Sequence, residues 1–169
     1  ILPHGRNLSD AELDALKAND GVIQCVAFAS YVKGDGDRRG FIQRTREELG
    51  LPPQEGTRPA SADADVRALN RQLRDRVRAF DQARIRANVR DFADHIDHAV
   101  QRIGVDHVAI SSDFDGGGGI EGWSNASETF NVTLELIRRG YSEEDIGKIW
   151  SGNTLRVWRA VEAVAAAGA

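Results

Sequence analysis

Two acids, Asp113 and Asp115, follow directly on a short apolar run in DHVAISSDFDGGGG (residues 106–119), and Gly116 to Gly119 follow them. A strand that runs straight into a carboxylate can present that charge at the mouth of a parallel β/α structure rather than pack it. His107, Ala109, Ser111 and Asp113 share one parity and Val108 and Ile110 the other. Continued strand geometry would therefore turn Asp113 away from the helix-packed face. The glycines let backbone approach a ligand closely, at an entropic cost that a simple connector does not require. A carboxylate placed in this way is aimed at a cleft instead of packed. An ordinary Asp- and Gly-rich turn at a strand end accounts for the same residues.

Three further constellations have to be weighed. Asp94-His95-Ile96-Asp97-His98 sets two histidines three apart on a helix beside acids, a spacing open to metal. Ile96, however, belongs to an apolar stripe, which favours structural histidines. Asp113, Asp115 and Gly118 suggest a calcium loop, but Gly117 and Ser124 stand where an oxygen donor and a bidentate Glu are required. The glycine run lacks both a following Lys-Ser/Thr and Gly-x-Gly-x-x-Gly spacing, so it is not a phosphate loop.

The whole chain limits what these residues can serve. Its 169 residues, 41% hydrophobic and 28% charged, have the composition of about one globular domain. A net charge of -4 gives no basic footprint, so nucleic acid is not an expected partner. No run reaches the ~18 apolar residues of a membrane span. Cys25 is the single cysteine, which excludes an intrachain disulfide and a cysteine-based metal site. There is no methionine and the chain opens Ile1-Leu2-Pro3-His4, the expectation for a processed chain or a piece of a longer one.

The elements that must hold these residues can be read in order. Ser9 and Glu12 form a capping box for a helix with Leu13 and Leu16 that stops near Gly21. Val22 to Ala29, apolar except for Gln24, predicts a strand covered on both faces. Lys33 to about Arg84 is polar and charged and reads as an insertion. It has turn signals at Gly34-Asp35-Gly36 and Pro52-Pro53, a linker at residues 56–61, and a helix carrying Val66, Leu69, Leu73, Val77 and Phe80 with its arginines in water. Val89, Phe92, Ile96, Ala99, Val100 and Ile103 trace a second amphipathic helix ending at Gly104. After the glycines, a helix starting at Ser124 or Asn125 holds Phe130, Val132, Leu134, Leu136 and Ile137 up to Gly140. Ser142 caps another with Ile146 and Ile149. Thr154 to Ala167 favours helix, with Leu155, Val157, Trp158 and Val161 expected to pack. Helix and strand alternation predicts an α/β fold with a parallel sheet. Two strands do not make such a sheet stable, so the chain is expected to be the C-terminal part of a (β/α)8 barrel, which closes with eight strands over typically ~250 residues. Completion by a second copy, as a homodimer, stays open.

PHGRNLSDAELDAL, DGVIQCVAF, DFADHIDHAVQRIGVDHVAISSDFDGGGG and LIRRGYSEEDIGKIWSGNTLRVW, in this order, resemble the C-terminal half of the membrane (renal) dipeptidase family of zinc peptidases. The resemblance implies a TIM-type barrel of the metal-dependent hydrolase kind with two zinc ions at its mouth, acting on dipeptides. It implies that the metal ligands lie in the N-terminal half of the barrel, a His-x-Asp pair, a bridging glutamate and two later histidines, so that this chain alone is inert. It matches Arg6 to the family arginine that grips the substrate carboxylate, a role suited to a planar, permanently charged fork. It matches Asp113 to the acid that contacts the substrate amine and handles protons. Tyr31, just past the first strand, is a further pocket candidate, because strand ends at that face line the site. The inserted segment, residues 33–84, then emerges at the catalytic face, and residues 120–169 supply the terminal helices. By itself, Arg6 before a capping box also fits a surface residue. Another two-metal barrel hydrolase acting on lactones or amides, and a non-catalytic remnant that serves as an interaction module, are the alternatives.

Overall fold

A computed structural model describes residues 2–34, 38–51, 64–83 and 87–168. The backbone divides into two compact units, one of residues 1–34 and 86–169 and one of residues 35–85. The expected Pro52-Pro53 turn and the linker at residues 56–61 lie outside the described residues, as does most of the Gly34-Asp35-Gly36 turn.

The larger unit begins with helix α1 (Asp10–Ala18), started as predicted by the reciprocal Ser9 and Glu12 capping box, with Leu13 buried. Strand β1 (Ile23–Val26) follows, shorter than the apolar run because the chain turns at Phe28 into the single-turn helix α2 (Ala29–Val32). Helix α5 (Val89–Ile103) is opened by Asn88, whose side chain accepts from the N–H groups of Arg90 and Asp91, while the Asp91 carboxylate returns to the Asn88 N–H. Two first-turn N–H groups that a helix cannot satisfy internally are thereby paired. Its buried face carries Val89, Phe92, Ile96, Ala99 and Ile103 from the predicted stripe, and it ends at Gly104 with φ 91°.

Strand β2 (Val108–Ser111) lies parallel to β1, with Ile23 opposite Val108 and Val26 opposite Ser111. Among the described residues these two strands are the whole sheet. Val108, Ala109 and Ile110 are all buried, so both faces of β2 are covered, as in a parallel sheet between helices. Buried Asn153 fixes the entry to β2: its side-chain amide donates to the carbonyls of Val105 and Val108 at 2.7 and 2.8 Å. Beyond the glycines the chain forms a tight turn closed by pairing of Ile120 with Trp123. Trp123 is buried between Phe92, Phe114 and Trp150, each with ring centroids at 5.7 Å. The helix expected from Ser124 starts later: a short 3-10 turn over Ala126–Glu128 precedes α6 (Phe130–Arg138), because Asn125 and Glu128 bond locally to Ser127 and Ser124 instead of to a helix. The α7 helix (Glu143–Gly147) has the predicted Ser142 cap and passes through one wide turn into α8 (Asn153–Ala167).

Helix α8 departs from expectation. Leu155, Trp158 and Val161, read as packing residues, are 43%, 62% and 63% exposed. The helix is held at its beginning, through Asn153, Thr154 bonded to Gln24, and Arg156 bonded to the carbonyls of Asp20 and Asp106. Val157 is half-buried, and the apolar residues from Trp158 onward have no covering element among the described residues.

The smaller unit contains the predicted helix, α4 (Ala64–Ala83), with Leu73 buried and Arg67, Arg71, Arg74, Arg76 and Arg78 exposed. It also contains α3 (Arg38–Glu48), which the sequence did not signal because charged residues dominate it and Phe41 and Ile42 are nearly its only apolar ones. Phe41 stacks on Phe80 with centroids 4.2 Å apart, and Arg38 and Arg76 pair with Asp81 and Glu48. Such surface pairs contribute at most about 1 kcal/mol each, so the aromatic stack is the stronger link between α3 and α4.

Candidate active site

Because β1 and β2 are parallel, the segments leaving their C-terminal ends lie together; Tyr31 and Asp113 lie on these segments, and Arg6 lies on the arm that precedes α1. After β2 the chain does not continue in strand geometry to Asp113. Strand parity therefore does not set the direction of that carboxylate. Asp113 takes the left-handed conformation instead, φ 54° and ψ 34°, one of two non-glycine residues with positive φ among those described. Asp and Asn tolerate this region better than other side chains, at a small conformational cost. The Asp113 carbonyl accepts from the N–H groups of Gly116 and Gly118, at 3.1 and 2.7 Å, which closes the loop on itself. The carboxylate is exposed and has no hydrogen-bond or ion-pair partner among the described residues. It is presented, as expected, but by a turn.

The loop is stitched to the end of β1. Ala27 N–H donates to Ser111 carbonyl, Gly119 N–H donates to Ala27 carbonyl, and Phe28 pairs with Gly119. Phe28 stacks on Tyr31 with centroids 4.5 Å apart, His4 lies 4.9 Å from the same ring, and the Arg6 guanidinium sits over it at 5.6 Å. An aromatic face under a guanidinium is a favourable seat that leaves the planar fork free to bind. Asn7 fastens this arm: its amide donates to the carbonyls of Tyr31 and Leu2, at 2.8 and 3.1 Å. Arg6 and Tyr31 are thus in contact, and Tyr31 reaches the Asp113 loop through Phe28, beside which Gly117 lies. Phe28 and Asn7 were not legible as site residues. Their only signal was position, one at the strand end and one next to Arg6.

A hollow of about 600 Å³ opens beside this cluster, bounded by the amino-terminal arm, α1, β1 and α5, with His4, Arg6, Tyr31, Cys25, Phe92 and His95 on its wall. Burial pushes the Cys25 thiol up to about 12, so at neutral pH it stays protonated and is no nucleophile. The two helical histidines hold internal partners. His95 Nε2 donates to the Val32 carbonyl at 2.9 Å, and His98 Nε2 meets Asp10 at 2.7 Å, next to the Arg102 pair with Asp14. Asp94 and Asp97 both accept from Arg139, which also holds Glu135, and Asp97 accepts from the Tyr141 hydroxyl. Among the described residues no three His, Cys, Asp or Glu side chains converge to hold a metal ion.

Burial lowers the His95 pKa below its ordinary 6.5, against the opposing pull of the Val32 carbonyl and Asp94. The folded chain thus resists a proton that the unfolded chain accepts. Stability from this group is complete above pH 6.5 and is lost as the pH falls below it. Thermal melts of wild type are expected to show a steeper fall in Tm from pH 6.5 downward than melts of His95→Gln, which keeps a donor but cannot charge. Equal slopes for the two proteins would rule this out.

A family profile, membrane dipeptidase (peptidase family M19), matches residues 1–169. Dipeptidase tcpJ of Claviceps purpurea is 41% identical over 167 residues, 98% of this chain and 28% of its own length. Human dipeptidase 3 is 38% identical over 84 residues, 49% of this chain and 17% of its own. A crystal structure of the probable dipeptidase PvdM from Pseudomonas aeruginosa superposes with a TM-score of 0.71 at 38% identity, over 93% of this chain and 41% of that one. The chain spans less than a third of the length of the curated relatives it matches. With the profile matched from end to end, and the solved probable dipeptidase sharing both backbone and more than a third of the residues, the chain belongs to the membrane dipeptidase family, peptidase family M19.

Proposed function

We propose that this chain is the substrate-gripping part of a dipeptidase barrel and that the remainder of the protein supplies its metal centre. What carries the reading is the continuity of Arg6, Tyr31, Phe28 and the Asp113 loop at one end of a parallel strand pair. In this reading Arg6 pairs with the substrate carboxylate through its two-pronged guanidinium, and Tyr31 backs it. Asp113 binds the free amine of the dipeptide. As water adds to the peptide carbonyl and the C–N bond breaks, Asp113 takes a proton from the water side and returns one to the departing amine. A dipeptide carries one charge at each end, so a cation on the amino-terminal arm and an anion on the loop after β2 measure its length. The zinc ions implied by the family have their ligands in the remainder of the barrel, and the roles given to Arg6 and Asp113 are those of the family residues they match.

The experiment compares the 169-residue chain with the complete protein on a panel of dipeptides, with metal content measured for both. The complete protein is expected to turn over dipeptides and to hold zinc, and the chain alone to do neither. Turnover with stoichiometric zinc by the isolated chain would refute the division of labour. A complete protein that cleaves lactones but no dipeptide would favour a related barrel hydrolase.

A further inference from the structure

We propose that Gly116 is a positioning residue for Asp113, an inference that rests on the catalytic reading of that carboxylate. The run Gly116 to Gly119 looks uniform, but its members are glycine for different reasons. Gly117 and Gly119 have φ of 98° and 114°, a left-handed backbone that side chains rarely adopt. Gly118 is confined by backbone: a Cβ there would stand 2.2 Å from the Ser112 carbonyl oxygen and 2.7 Å from that of Asp113. These three serve the turn itself.

Gly116 has neither restriction. The three atoms nearest to a Cβ on it would all belong to the Asp113 carboxyl group, with Oδ1 at 2.3 Å, Cγ at 2.8 Å and Oδ2 at 2.9 Å. The carboxylate therefore occupies the space that a side chain at residue 116 would fill. Its atoms are the far end of a rotatable side chain, so an added methyl displaces the carboxylate and leaves the backbone in place. No hydrogen bond or ion pair within the described residues holds the Asp113 carboxylate, and the missing side chain of Gly116 leaves the room for this orientation. A residue that works in this way acts through Asp113 and touches no substrate.

The test uses the complete protein. Gly116→Ala is expected to lower kcat on a dipeptide at least tenfold while the melting curve stays close to wild type, and to shift the pH profile of kcat. In an Asp113→Asn background the same change is expected to add less than a twofold further loss, because the group it acts through is already gone. Near-wild-type kcat for Gly116→Ala beside a crippled Asp113→Asn would overturn the positioning role and leave the catalytic reading intact. An undiminished further loss in the Asp113→Asn background would overturn it equally. Wild-type activity of Asp113→Asn itself would remove the catalytic reading, and this inference with it. If Gly116→Ala folds poorly, the stability cycle with Asp113→Gly decides: with no carboxylate to meet, Gly116→Ala is expected to fold as well as its Asp113→Gly parent, and a defect of the same size there would overturn the proposal.

Discussion

Replacing Asp113 by Asn in the complete protein is expected to reduce kcat by about a hundredfold to ten-thousandfold, the range for losing a positioned acid–base group, without loss of fold. The two halves of this expectation have separate grounds. Asparagine keeps the size of aspartate and is at least as well suited to φ 54° and ψ 34°, so the turn that Gly116 and Gly118 close on the residue 113 carbonyl is retained. The carboxylate is exposed and bonds to no described residue, so stability does not depend on its charge. What the substitution removes is the ability to carry a proton and to attract the substrate amine. Steady-state kinetics beside a thermal melt would check both halves. A kcat within about threefold of wild type would argue against the acid–base role. A matching fall in Tm would make the loss one of folding.

The second large effect is structural. Phe92 is fully buried on α5, packed beside Trp123 at 5.7 Å. Phe92→Ala is expected to cost about 3–5 kcal/mol, the transfer of an aromatic side chain plus the cavity it leaves. Collapse into that space is restricted, because Trp123 is itself wedged between Phe114 and Trp150. Trp123 also belongs to the turn that ends the glycine loop, so the loss reaches the site as well as the core. Denaturant unfolding of the complete protein measures it. A cost under about 1 kcal/mol would mean that the aromatic cluster is not the keystone of this layer.

Much of the scaffold was legible because its signals are local. The Ser9 and Ser142 caps and the α5 stripe are encoded within a few residues of the elements they start or line, and each formed as read. Features that depend on distant partners were not legible. The direction of Asp113 was inferred from strand parity, yet β2 ends at Ser111 and a left-handed turn takes over, a choice set by pairing of the loop with Ala27 and Phe28. Helix α3 escaped notice because its apolar content is small and its stabilising partner, Phe80, lies far along the chain. At the site, Arg6 and Asp113 were marked by residue type and family resemblance. Asn7 and Phe28 brace Tyr31, beneath Arg6, through its carbonyl and its ring, contacts that no spacing in the sequence announces. The outward-facing apolar residues of α8 illustrate the converse: a helical pattern shows which residues could pack, not whether a neighbour is present.

The central claim is a two-ended clamp, Arg6 for the carboxylate and Asp113 for the amine. It is tested most directly by the kcat/KM of the complete protein on a dipeptide, its C-terminal amide and its N-acetyl derivative, for wild type, Arg6→Ala and Asp113→Asn. Wild type is expected to prefer the free dipeptide over both blocked forms. Arg6→Ala is expected to lose only the preference over the amide, and Asp113→Asn only the preference over the acetylated form. Full wild-type discrimination against the amide in Arg6→Ala, or against the acetylated dipeptide in Asp113→Asn, would contradict the clamp.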